Sequence, residues 1–215
     1  MMNLHVHHRV LAAILCAFPS VVFADAPPPP PPDAEGWNAT QSVAPSSVVH
    51  LGSYTLSLEE TRLADVQRAV GARRIEHAGD AGDSVGWLCY TVGSGRSRAK
   101  VWMTSSEMGG QEQRIDGFII RSAPASRASV SCPALSSRFA PIRLQHALGL
   151  GSSEQQIRVA LGTPSRRVGT WIYDESATKT PGDCEGGSFD VTSGLQARIE
   201  HGAVVDLRVF KVTSC

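Results

Sequence analysis

Ser84, the cysteines and a few dispersed histidines are the side chains here whose types could carry chemistry. Gly82-Asp83-Ser84-Val85-Gly86 matches the Gly-x-Ser-x-Gly pattern of hydrolase nucleophile elbows. That chemistry needs a strand before the serine and a helix directly after it, so that the hydroxyl stands at a strained turn beside an oxyanion hole. Trp87-Leu88-Cys89-Tyr90 follows instead and reads as a strand, with Gly79 to Gly86 as a loop between strands. A serine hydrolase using Ser84 is carried only as an alternative. His50, His77, His146 and His201 show no pair at a metal-binding spacing, and no Cys-x-x-Cys brings soft ligands together. Neither expected helix start carries a phosphate-cradling glycine loop. No metal, cofactor or catalytic residue is expected.

The cysteines point instead to covalent staples. Arg9 and the free amine precede an apolar stretch, Val10 to Phe23, too short to span a bilayer. Val22-Phe23-Ala24 supplies small residues at the positions a signal peptidase reads, which predicts cleavage after Ala24. Leu15 stands before Cys16 where a lipid-anchoring site needs a small residue. Removing 1–24 takes Cys16 and leaves Cys89, Cys132, Cys184 and Cys215 in a periplasmic or secreted protein, so two disulfides are expected. Cys89 with Cys132 and Cys184 with Cys215 is the chosen pairing, each closing within one half of the chain.

The formal charge is +0, with 20 basic and 20 acidic residues. Losing Arg9 leaves the mature chain slightly acidic and without a basic cluster, so nucleic acid is not an expected partner. No second apolar run reaches the length of a membrane span.

Pro27 to Pro32 cannot donate backbone hydrogen bonds and reads as an extended spacer within a disordered proline-rich linker over 25–47. Asn38-Ala39-Thr40 matches a glycosylation sequon, a weak signal by itself. Beyond the linker the two halves of the chain share a pattern. Ser57-Leu58-Glu59-Glu60 and Ser152-Ser153-Glu154-Gln155 both read as capping boxes. Leu63, Val66 and Val70 form the apolar face of the first helix, which stops at Gly71. Ile157, Ala160 and Leu161 do the same in the second, which stops at Gly162 and Pro164. Strand-like segments follow each helix in matching order: Trp87 to Tyr90 and Trp171 to Tyr173, Val101 to Ser105 and Phe189 to Ser193, Ile115 to Ile119 and Val205 to Val209. His201-Gly202 reads as the turn of a hairpin.

The expected fold class is α+β, two tandem units at 48–131 and 132–215, each a helix packed on a three- to four-stranded antiparallel sheet. Gly149-Leu150-Gly151-Ser152-Ser153-Glu154-Gln155-Gln156-Ile157, then Ala160-Leu161-Gly162-Thr163-Pro164 and Trp171-Ile172-Tyr173, resemble the SmpA/BamE outer-membrane assembly lipoproteins. That family shares its fold with the β-lactamase inhibitory proteins, which are tandems of two such units. The resemblance is clear over 149–212 and faint over 56–122. It implies a fold rather than an activity, and no catalytic residue is carried over.

An antiparallel sheet with helices on one face leaves the other open. Strand parity sends Val205, Leu207, Val209, Ala197, Ile199, Val101 and Met103 inward. It sends Trp102, Arg198, Arg208 and Phe210 outward, and Phe118 by correspondence between the halves. Aromatic and arginine side chains dominate protein-binding hot spots, so these five residues form the predicted partner-binding face. The alternative, that these aromatics pack into a seam between units, stays open. The function expected is non-catalytic binding of another periplasmic or envelope protein, as an inhibitor or immunity-like module. The alternatives are an envelope-assembly accessory and the Ser84 hydrolase.

Overall fold

A computed structural model of the chain describes residues 25–32, 44–45, 47–71, 74–125 and 128–215. The predicted signal peptide and its cleavage site, and the sequon at Asn38, lie outside these residues.

The dominant feature is one antiparallel sheet of eight strands. They are β3 (Glu76–Ala78), β4 (Val85–Val92), β5 (Ala99–Ser106), β6 (Gly117–Ser122), β8 (Arg166–Val168), β9 (Trp171–Pro181), β10 (Ser188–Glu200) and β11 (Ala203–Ser214). Their order is β3-β4-β5-β6-β11-β10-β9-β8. A second sheet, ordered β2-β1-β7, holds β1 (Val48–Leu51), β2 (Tyr54–Ser57) and β7 (Ile142–Leu144). The α-helices, α1 (Leu63–Val70) and α2 (Glu154–Leu161), have 8 residues each.

This overturns the expected pair of helix-on-sheet units. The protein is mostly β, and its halves share one sheet. β6 pairs with β11 from Asp206↔Arg121 to Phe210↔Gly117, and β7 pairs with β1 from the other half of the chain. A small unit standing alone would expose an unpaired strand edge over a thin core; pairing β6 with β11 removes both edges and makes one core. That core lies on the inner face. Leu63 and Val66 of α1, Ile157 and Leu161 of α2, and Val49, Leu51, Leu56, Ile142 and Leu144 of the small sheet pack in one cluster with Val101, Met103, Ile120, Leu195 and Leu207.

The helix starts shift for local reasons. Ser57 is claimed by β2, opposite Val48, so it cannot cap α1. Leu58 and Glu59 instead donate their amides to the carbonyls of Ser47 and Ile115, and α1 begins only after Arg62, whose N–H donates to the Asp65 carboxylate at 3.1 Å. In α2 the capping box forms one residue later than expected. Ser153 Oγ accepts from the Gln156 N–H at 3.2 Å, while Gln156 Oε1 accepts from the Ser153 N–H at 2.7 Å. The β10–β11 hairpin turns at His201 and Gly202, with φ of 51° and 79°. A two-residue turn of this hand needs positive φ at both positions.

Cys89 is joined to Cys132 and Cys184 to Cys215, with Cα separations of 4.7 and 5.3 Å. Two disulfides fit an extracellular or periplasmic setting. Among the described residues no helix is long and apolar enough to cross a membrane.

Candidate functional site

Strand register builds the outer face of the large sheet. Reading partner to partner, Cys89, Trp102, Ile119, Arg208, Gln196, Tyr173 and Arg166 stand in a single row from β4 to β8, perpendicular to the strands. Alternation along each strand puts all of them on the face opposite the core.

The proline run does not behave as the expected disordered spacer over 25–32, because it lies along this row. Trp102 Nε1–H donates to the carbonyl of Asp25 at 3.0 Å, Arg208 Nη1 to that of Pro29 at 2.7 Å, and the Tyr173 hydroxyl to that of Pro32 at 2.5 Å. Pro31 is buried.

Asp25 anchors the start of this strap. Its carboxylate accepts from Lys100 Nζ at 2.6 Å, Ser129 Oγ at 2.5 Å and Ser131 Oγ at 2.6 Å, and the residue is 7% exposed. The serines are held in place because Cys132 is tied to Cys89, while the Thr91 amide and carbonyl pair with Pro133 and Leu135. Burial pushes the Asp25 carboxyl up, but the hydrogen bonds from Lys100, Ser129 and Ser131 outweigh it and hold the carboxyl below its ordinary value.

Arg208 is aimed by its neighbours. Its Nε and Nη2 face the two carboxylate oxygens of Asp206 at 3.3 and 3.4 Å, leaving Nη1 for Pro29. The fully buried Asp206 also accepts from Arg121 Nε at 2.5 Å. The Arg208 guanidinium lies 5.2 Å from the centre of the Trp171 ring, and Arg166 lies 4.0 Å from that of Tyr173. Burial lowers the Arg208 pKa, and Asp206 opposes that shift.

Of the predicted face residues, Trp102, Arg198, Arg208 and Phe210 are on the outer side. Phe210 places its ring over Gly194, where an added Cβ would come within 2.3 Å of it. Arg198 pairs with Glu200. Phe118 is a correction: it opposes Met103 and Val209 in the core and is 1% exposed. Matching the halves by sequence makes Phe118 the counterpart of Arg208 and so turns it outward, whereas in the sheet Ile119 is the residue that shares the outer face with Arg208, and a one-residue slip reverses a strand's faces. Trp171, Lys100, Arg121 and Asp206 lie on the same face as the row. Tyr173 was findable, since Ala197 pointing inward carries its partner Ile172 inward and turns Trp171 and Tyr173 out.

Two other clusters bear on chemistry. His77 Nε2 and Ser84 Oγ are 2.8 Å apart at the mouth of a cavity of about 400 Å³ also lined by Ser105, Ser106, Glu107 and Gln113. The strand β4 begins one residue after Ser84, in the place where a nucleophile elbow needs a helix. Among the described residues the close group of Asp25, Cys89 and Cys132 has metal-ligand types, but its sulfurs are bonded to each other.

No protein-family model, curated protein or solved structure matches this chain.

Proposed function

We propose that the chain is a non-catalytic protein-binding module of the periplasmic or secreted space, inhibitor- or immunity-like in type, which engages its partner through the outer face of the large sheet. The supporting observation is the row of Trp102, Arg208 and Tyr173, whose donors meet main-chain carbonyls of an extended segment. Aromatic rings and oriented guanidinium groups beside such donors are the chemistry of peptide recognition. The test is capture from envelope extract by the immobilised chain, comparing wild type with Arg208→Ala and Phe210→Ala. A specific partner lost with either variant supports the reading; a partner retained unchanged by both rejects this face. Envelope-assembly components in the captured set would favour the accessory role that the resemblance over 149–212 suggests, and a soluble enzyme or toxin the inhibitor or immunity role.

The contact of 2.8 Å between His77 and Ser84 favours a second reading, serine hydrolysis. Turnover of simple esters by the mature chain, abolished in Ser84→Ala and His77→Ala, would replace the non-enzymatic reading.

A further inference from the structure

Proline-rich chain has unusual needs. It offers a carbonyl at every residue and no N–H within the run, so a surface that binds it supplies donors and asks for none in return. In the polyproline II conformation the chain repeats every three residues, about 9.3 Å, with carbonyls three apart on the same side. Strands in a sheet lie about 4.8 Å apart, so two strand spacings cover about 9.6 Å. A polyproline helix laid across a sheet therefore presents equivalent carbonyls to every second strand.

Arg208 on β11 and Tyr173 on β9 are two strands apart, and the carbonyls they bind, Pro29 and Pro32, are three residues apart. Trp102 on β5, two strands to the other side of β11, takes the carbonyl of Asp25, where the segment turns before the run. At that end Lys100, Ser129 and Ser131 close on the aspartate carboxylate and set the register. The donors are positioned in advance: Asp206 holds two nitrogens of Arg208 so that the third points outward. Such preorganisation is a binding device rather than a packing one.

We propose that this row is a binding site for polyproline II peptides led by an aspartate, with residues 25–32 as its resident ligand, which a proline-rich segment of a partner must displace. The proposal rests on the protein-binding reading and gives that partner a chemical class. Because the resident segment is tethered, a free peptide competes with an effective concentration on the order of millimolar. The intact site is therefore self-covered, and weakening the Asp25 anchor opens it.

The test uses the mature chain from Asp25 to Cys215 and a fluorescein-labelled synthetic peptide of residues 25–32, read by anisotropy. Asp25→Ala should bind the peptide at least tenfold more tightly than wild type. Adding Tyr173→Phe, which removes only the hydroxyl, should weaken binding severalfold, as should a peptide with alanine in place of its aspartate. Should Asp25→Ala leave the resident segment seated, a chain that carries Asp25→Ala and also has Pro27 to Pro32 replaced by alternating glycine and serine frees both the row and the aspartate seat and must bind. Absence of saturable binding in that chain, or affinity indifferent to Tyr173→Phe and to the peptide's aspartate, overturns the proposal. Failure here while envelope capture still depends on Arg208 rejects the ligand class alone. Failure of both rejects the protein-binding reading beneath it.

Discussion

Tyr90, Val101, Ile120, Leu207, Ala197 and Ile172 form a row across the inner face of the large sheet, one residue along each strand from the outer row of Cys89, Trp102, Ile119, Arg208, Gln196 and Tyr173. The inner row is covered by helices and a small sheet through apolar contact, which has no preferred direction. Over the outer row lies a segment of eight residues, 25–32, held by side-chain donors that each reach a particular oxygen. Apolar cover scales with the area removed from water, whereas the strap depends on a few angles and distances. The inner face should hence govern global stability and the outer face local opening.

The largest effect expected is on the inner side. Ile157→Ala empties a fully buried position in α2 and should cost about 2–5 kcal/mol in urea unfolding, the range for cavity-forming substitutions. The exchange of the Trp102 indole proton, which reports the Asp25 contact, should still show its own, lower opening energy. If both fall together, the two faces are one cooperative unit.

Removing the Cys89–Cys132 bond by paired serine substitution should cost about 2–4 kcal/mol and also loosen the serines that hold Asp25. The matching change at Cys184 and Cys215 should lower the melting temperature without touching Trp102 indole exchange. Equal indole exchange in the two double variants would break the assignment of the first bond to the strap's seat.

Asp206→Asn leaves Arg121 and Arg208 facing a neutral group. Breaking a buried ion pair costs about 3–5 kcal/mol, and the partial exposure of Arg121 brings the expected loss nearer 2 kcal/mol. Arg208 should also lose its aim at Pro29, so strap release should accompany the loss of stability. Stability lost with the Trp102 and Pro29 contacts intact would make Asp206 a core residue rather than part of the face.

The smallest effect is a pH response. The Asp25 carboxyl is held below its ordinary value, so its contribution is complete above the unfolded value of about 4 and fades as pH falls through the lower folded value. Trp102 indole exchange should accelerate in that acid range before near-UV circular dichroism changes, and Asp25→Asn should remove the step. Release centred near neutral pH would contradict the Lys100–Ser129–Ser131 seat.

Much of this was legible in the residues. The segments read as strands from Trp87, Val101, Trp171 and Val205 all fall in the large sheet, and the turn at His201-Gly202 lies where the pattern puts it. Four of the five residues assigned to the outer face are there, because alternation needs only the local chain. Phe118 escaped because its face depends on which residue of β6 meets β11, a pairing between segments 85 or more residues apart in contacts such as Arg121–Asp206. The start of α1 escaped because Ser57, a good capping residue by type, is engaged by β2.

By themselves, residue types and spacing determined that four cysteines form two disulfides, and with them the alternating strands, the helix stops and the absence of backbone donors in Pro27 to Pro32, since each follows from covalent chemistry or from neighbours along the chain. Only tertiary structure decided that the halves merge into one sheet and that the proline run lies down on it. Both outcomes come from satisfying groups that local structure leaves unpaired: strand edges in β6 and β11, and carbonyls in a segment with nothing of its own to donate to them.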